Sequence, residues 1–294
     1  MNQFMNLTEM QIENIRQLAS AERRNLGFIG EIPIANDIFT ILESLGILLL
    51  EYPIESDSEK LAFSAALMYS TDGDKELVFL GLNTADFFDK QVFAIAHELY
   101  HFYTKTGSHL GRLSEDEDNS IEILANRFAA EFLLPESKLK SIVLNNFKTS
   151  SLQNIQFKTL LRFIARLQCD WWLPYRSLVK RLKEIETISN KQYEQLYAID
   201  ERDKDGEYWH TGMAINKEVF LKLNTPTNNI GTSPQNIEII IRNFEDGIID
   251  EDKFIDTLNL FNKNPNEFGY KFEVSPEDID EFEKYFGEEF SDEN

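Results

Sequence analysis

The stretch Phe93-Ala94-Ile95-Ala96-His97-Glu98-Leu99-Tyr100-His101 decides how the chain is read. From Ala85 to about Thr104 there is no Gly or Pro, and Phe88, Val92, Ile95, Ala96 and Leu99 recur at helical spacing. That spacing predicts a long, largely buried helix, with an N-cap offered by Asn83-Thr84. At about 100° per residue, positions 97 and 101 return to within about 40° of the same face. Both imidazoles can then reach one ion, in the H-E-x-x-H pattern. A histidine in an apolar helix is often only a hydrogen-bonded core residue. Here the chain has four His and two of them fall at metal spacing around a glutamate, which favours the ligand reading.

Zinc accepts neutral imidazole and carboxylate donors, and a catalytic site keeps its fourth position for water, so a third protein ligand is required. Downstream, Glu122 and Asn126 form E-x-x-x-N on a second helix predicted over Ser120–Leu134 and stopped by Pro135. This resembles the gluzincin arrangement, in which a glutamate from a following helix binds the metal, and on that resemblance Glu122 is the third ligand. Asn126, one turn later, is placed to accept the N–H of a histidine's non-coordinating nitrogen and fix its tautomer. Glu98 is adjacent to a ligand but off the ligand face, which suits a general base that takes a proton from water and passes it to a leaving amine. The acidic run Glu115, Asp116, Glu117 and Asp118 competes for the third position, but it falls in a predicted loop, Ser108 to Asn119, and reads as solvated surface. Glu131 also competes; nine residues after Glu122, it is about half a turn out of phase with it. Tyr100, Tyr103, His109 and His210 all remain candidates for stabilising an oxyanion.

Outward from this centre, helices are predicted at Thr8 to about Arg24 and Ile34–Leu45, with a strand at Ile47–Tyr52. Two apolar runs, Ala62–Tyr69 and Glu76–Leu82, flank Thr71-Asp72-Gly73-Asp74, a strong hairpin signal. Gly107 is the expected end of the histidine helix. Helices follow at Glu136–Phe147, Leu152–Leu167, Pro174–Ile185 and Lys191–Arg202, then a change of character after Asp205-Gly206. A short apolar segment and a Gly/Asn/Thr/Pro-rich stretch, Asn224 to Pro234, precede helices around Ile237–Phe244, Asp252–Phe261 and Ser275–Gly287. The expected fold is α+β: a mainly helical zincin-like core with a small antiparallel sheet (residues 1–145), a helical segment (146–203) and an acidic accessory domain (204–294) for sensing or partner binding.

Composition bounds the function. Of 294 residues, 42% are hydrophobic and 23 are Phe, enough for a folded core. The single Cys169 cannot form an internal disulfide and has no paired base, so it reads as a buried small residue. No leader and no apolar run of roughly 18 residues is evident, and a cytoplasmic protein is expected. Acidic residues outnumber basic ones 51 to 29, a formal charge of −22. Such a surface disfavours direct nucleic-acid binding; it attracts basic partners, although acidity also serves solubility alone. No Walker loop, G-x-G-x-x-G or zinc-finger cysteine pair is present, and Trp171-Trp172 reads as core.

Together, the stretch above and Glu122-Ile123-Leu124-Ala125-Asn126-Arg127-Phe128-Ala129-Ala130-Glu131-Phe132-Leu133-Leu134-Pro135 resemble the ImmA/IrrE-type metallopeptidases, whose patterns are H-E-L-G-H and E-x-E-A-N-x-F-A-A-x-L-L-M-P. The likeness covers roughly residues 8–190, including Trp172–Ile185, which looks like the helical segment after the protease core. Tyr100 stands where the family commonly has Gly, and Leu124 where it has a second acid. The resemblance implies a zinc-dependent endopeptidase that cleaves a separately encoded helix-turn-helix repressor or similar regulator, in gene control, stress response, toxin–antitoxin or phage-defence settings. The rival reading is a silent zinc-containing module that captures a regulator. A structural site tends to be closed by a fourth side chain, for which His109 and His210 are candidates.

Overall fold

The computed structural model describes residues 7–55, 64–72, 75–106 and 115–272. Helix α1 (Glu9–Asn25) opens on a capping box: the Thr8 hydroxyl accepts from Gln11 N–H, and the Gln11 side chain accepts from Thr8 N–H at 2.9 Å. Helix α2 (Ile38–Ser44) turns through Gly46, whose φ of +69° suits glycine, into strand β1 (Ile47–Tyr52). Strands β2 (Ala65–Asp72) and β3 (Lys75–Asn83) pair from Ala65↔Leu82 to Asp72↔Lys75, as the hairpin signal predicts. Gly73 and Asp74 themselves lie outside the described residues.

The sheet order is β2-β3-β1-β4, where β4 is Gly231–Thr232. β1 runs parallel to β3 and β4 runs antiparallel to β1, so the sheet is mixed, not wholly antiparallel as the sequence suggests. The reason is placement: the hairpin sets its second strand, not its first, beside β1. This leaves β2 on an edge, packed against the histidine helix.

That helix, α3 (Phe88–Thr104), begins three residues after the expected start. The Asn83 side chain accepts from Ile54 N–H at 2.9 Å and Ala85 N–H at 3.0 Å, holding the end of β3 instead of capping the helix. α3 stops at Lys105, in the left-handed region at φ +53°; Gly107 lies outside the described residues. Helix α4 (Glu115–Leu133) starts five residues earlier than predicted, so the run Glu115 to Asp118 opens a helix and is not a loop. Val92, Ile95, Ala96 and Leu99 of α3 are fully buried, as are Ala125, Phe128, Ala129 and Phe132 of α4. Each large apolar side chain contributes roughly 1.5–3 kcal/mol, and this shared core fixes the two helices side by side.

Helices α5 (Glu136–Phe147), α6 (Phe157–Trp171), α7 (Tyr175–Glu184) and α8 (Asn190–Tyr197) follow near their predicted places. Helix α9 (Glu207–Leu223) occupies a segment the sequence presents only as short and apolar. It kinks at Asn216 (φ −154°, ψ 92°), whose side chain accepts from Val219 N–H and restarts the helix. The kink folds Phe220 over Gly212: a Cβ at 212 would lie 2.1 Å from the ring. Gly212→Ala is therefore expected to destabilise the protein by about 1–3 kcal/mol, read as a lowered denaturant midpoint; an unchanged midpoint would show that the kink relaxes freely.

Contacts divide the chain at Ser233/Pro234. α9 packs on α6, and Tyr208 Oη donates to Gln168, which donates to the buried Asp89 on α3 at 2.9 Å; Arg202 donates to both Asp89 oxygens at 2.7 and 2.8 Å. β4 adds a strand to β1, with Thr232 Oγ1 donating to Leu49 O at 2.6 Å. Residues 204–233 thus complete the first unit. In the second, α10 (Pro234–Glu245) and α11 (Glu251–Asn259) enclose a ring cluster, Phe244 stacked on Phe254 at 4.4 Å with Tyr270 and Phe272 edge-on. The helix expected over Ser275–Gly287 lies outside the described residues. Among the described residues no helix is long and apolar enough to cross a membrane.

Candidate metal centre

His97 and His101 project from α3 towards Glu122 on α4. His97 Nε2 lies 2.9 Å from Glu122 Oε2, His101 Nε2 lies 3.3 Å from Glu122 Oε1, and the two Nε2 atoms are 3.3 Å apart. The far side of each ring faces an oxygen. His97 Nδ1 is 3.2 Å from Asn126 Oδ1, and His101 Nδ1 is 3.0 Å from Thr106 O. A carbonyl oxygen only accepts, so both Nδ1 atoms carry a proton, and each ring in its neutral form turns an Nε2 lone pair inwards. Two lone pairs and a carboxylate then converge on one point, a donor set that calls for a cation.

The spacing fits zinc. At Zn–N distances of about 2.0–2.1 Å, the edge of a tetrahedron is about 3.3 Å. Nitrogen and carboxylate donors with one position left for solvent are the composition of a catalytic rather than a structural zinc site. Contact with His101, then with His97, holds the Glu122 carboxyl far below the usual carboxylate range. Burial works against a charged His101, but contact with Glu122 and the charges of Glu98 and Glu122 outweigh it and raise its pKa.

Glu98 is the second carboxylate within ligand distance of the imidazole pair. Its environment differs: Oε2 accepts from the backbone N–H of Leu67 on edge strand β2 at 3.0 Å. Burial pushes its pKa up, partly offset by the two histidines and by the Leu67 N–H. Glu122 makes the direct contacts to both imidazoles, whereas Glu98 is tied to the strand beside them, so the two carboxylates are sorted into different positions.

The competing candidates are placed elsewhere. Glu131 accepts from Glu136 N–H at 2.9 Å and pairs with Arg181 at 2.8 Å. Tyr100, in the position of the expected Gly, is buried, its ring packed on Phe128 at 5.7 Å and edge-on to His101 at 5.8 Å, so it fills core. The buried Tyr103 hydroxyl has its pKa raised by burial and by Glu22 of α1. His210 on α9 bonds Gly206 O and is exposed; His109 lies outside the described residues. Burial pushes the Cys169 thiol up to about 11, the opposite of an activated nucleophile. Sequence reasoning missed the Leu67 N–H and the Thr106 carbonyl, because backbone groups leave no residue-type signal.

The family described as IrrE N-terminal-like domain, Peptidase_M78, matches residues 42–183, from within α2 to within α7. No curated protein and no solved structure matches the chain. The matched region contains both histidines, Glu98, Glu122 and Asn126, so the site described above lies within the part of the chain that is similar to this family.

Proposed function

We propose that the chain is a zinc-dependent endopeptidase in which His97, His101 and Glu122 hold the metal and Glu98 is the general base. The observation that carries this reading is the convergence of two Nε2 lone pairs and the Glu122 carboxylate beside a separately anchored Glu98. Zinc held there would supply Lewis acidity, acidifying water and polarising the scissile carbonyl. Glu98 takes the proton as water attacks, and returns it to the amine as the C–N bond breaks. Burial keeps the Glu98 carboxyl more basic than an exposed one, which suits it to accept that proton. The Leu67 N–H orients the carboxylate and leaves Oε1 free of that bond to face the water.

Asn126 fixes the His97 tautomer. Asn126→Ala is expected to weaken zinc binding by about 10- to 100-fold, measured by competition with a chromogenic chelator; unchanged affinity would remove it from the site.

For substrate, the formal charge of −22 supports a basic partner, and a DNA-binding regulator encoded separately fits both that field and the family resemblance. Zinc-loaded protein incubated with a helix-turn-helix regulator encoded beside it should cut it at one or a few sites, more slowly as salt rises. Zinc binding without cleavage of such a regulator, in low salt and at high enzyme ratio, would favour the silent capture module.

A further inference from the structure

We infer that the outer surface of α5 and α6 is a docking face for the phosphate backbone of duplex DNA, a property that goes beyond the peptidase reading and does not depend on the metal. Its basis in the sequence is a break in charge. Residues 137–169 hold six basic side chains and no Asp or Glu, in a chain that carries 51 acids over 294 residues. At that average a stretch of this length would hold about six acids, so the formal charge of −22 is spread unevenly. The mean field, which argues against nucleic acid, does not describe this part of the chain.

The fold turns that composition into a surface. Helix α6 buries most of its residues, and those it exposes are Lys158, Arg162, Arg166 and Asp170, four apart along one ridge. Three cations therefore follow one another at intervals of roughly 6 Å. The end of α5 lies beside them: the Phe147 ring is edge-on to Phe163 at 5.1 Å, and Arg166 Nη1 donates to Asn146 Oδ1 at 3.4 Å. Exposed Lys148, at the α5 C-cap, adds a fourth cation. Acids meet the ridge at its ends, where Lys158 pairs with Glu207 at 3.1 Å and Asp170 follows Arg166 by one turn; burial raises the Asp170 carboxyl, partly offset by Arg166. Between those ends, Lys148, Arg162 and Arg166 bond the neutral oxygens of Asn145, Thr159 and Asn146, and have no ion-pair partner among the described residues. A protein interface is centred on apolar or aromatic anchors, and the α6 ridge exposes none. Cations set among exposed Asn145, Asn146, Ser150 and Ser151 are the groups that hold phosphates. Acids elsewhere do not forbid the contact, because at physiological salt charges more than about 8 Å away are largely screened. A DNA-bound regulator would bring such a backbone to this face.

The test is fluorescence anisotropy of a labelled duplex of about 20 base pairs and random sequence, titrated with the full-length protein in low salt. Three to four phosphate contacts should make affinity fall by about 40- to 150-fold between 50 and 200 mM KCl. The triple variant Lys148→Gln, Arg162→Gln, Arg166→Gln, all exposed positions, should bind at least about tenfold more weakly at 50 mM KCl and show a nearly flat salt dependence. A second triple variant, Lys191→Gln, Lys217→Gln, Lys253→Gln, makes the same change in net charge at exposed positions away from the ridge and should bind as wild type does. Wild type that does not bind the duplex at 50 mM KCl overturns the proposal. Equal losses in the two triple variants also overturn it, since net charge alone would then explain the binding. Tighter binding of polyglutamate than of the duplex would reassign the face to an acidic polypeptide. None of these outcomes bears on the metal centre, whose tests are separate.

Discussion

Glu98→Gln is expected to retain zinc and lose cleavage by at least about 100- to 10,000-fold, the size of a general-base contribution. The substitution is clean because Gln keeps an oxygen that accepts from Leu67 N–H, so the contact between α3 and β2 survives. The proposed metal ligands, His97, His101 and Glu122, are untouched. What is lost is a proton acceptor beside the attacking water, so kcat should fall while KM changes little. Metal content by elemental analysis and cleavage rate on the same preparation decide the matter. Full zinc with a rate within a few-fold of wild type would remove Glu98 from the mechanism; loss of zinc along with rate would make Glu98 a ligand and reassign Glu122.

Arg181→Ala is expected to cost about 3–5 kcal/mol of stability, the largest structural effect we anticipate from one substitution. The Arg181 side chain is 1% exposed. Its Nη2 donates to Glu131 at 2.8 Å and to Leu134 O at 3.0 Å, and its Nη1 pairs with Glu184 at 3.1 Å. Arg127 shares the same anions, reaching Glu131 at 3.4 Å, Glu184 at 3.2 Å and Glu136 at 3.1 Å. Removing Arg181 leaves Glu131, itself 6% exposed at the side chain, with the longer Arg127 contact and the Glu136 N–H among the described residues. The penalty comes from that stranded buried carboxylate more than from the lost attraction. Arg181→Lys should restore little, because one ammonium cannot span three acceptors that a planar guanidinium bridges. Denaturant unfolding with an unchanged m-value is the measurement, and a loss under about 1 kcal/mol would mean that Arg127 compensates. Glu131 lies on α4 nine residues after Glu122, so the same network anchors the helix that carries the third proposed ligand.

The helices of the metal centre were legible because their signals are local. A run without Gly or Pro, apolar spacing near 3.6 and the i, i+4 histidines made α3 readable, and Pro135 marked the end of α4. Strand directions were not legible, since the hairpin signal is the same whichever of its strands lies beside β1. α9 was obscured for a related reason: Gly212 makes room for Phe220 and Asn216 restarts the helix after a kink, and both effects depend on packing across the kink.

By itself, then, the sequence determined which residues face one another along a single helix, and hence the histidine pair, the glutamate between them, and Glu122 with Asn126 one turn apart. Only the tertiary structure decided which carboxylate meets the imidazoles and which is tied to β2, that a Thr106 carbonyl fixes His101, that Tyr100 fills core, and that residues 204–233 close the first unit. The physical reason is range. Helix periodicity and capping act within a few residues, so they are written in the order of side chains. The partners of a buried donor or acceptor are set by which distant backbone and side-chain groups the packed core brings within about 3 Å.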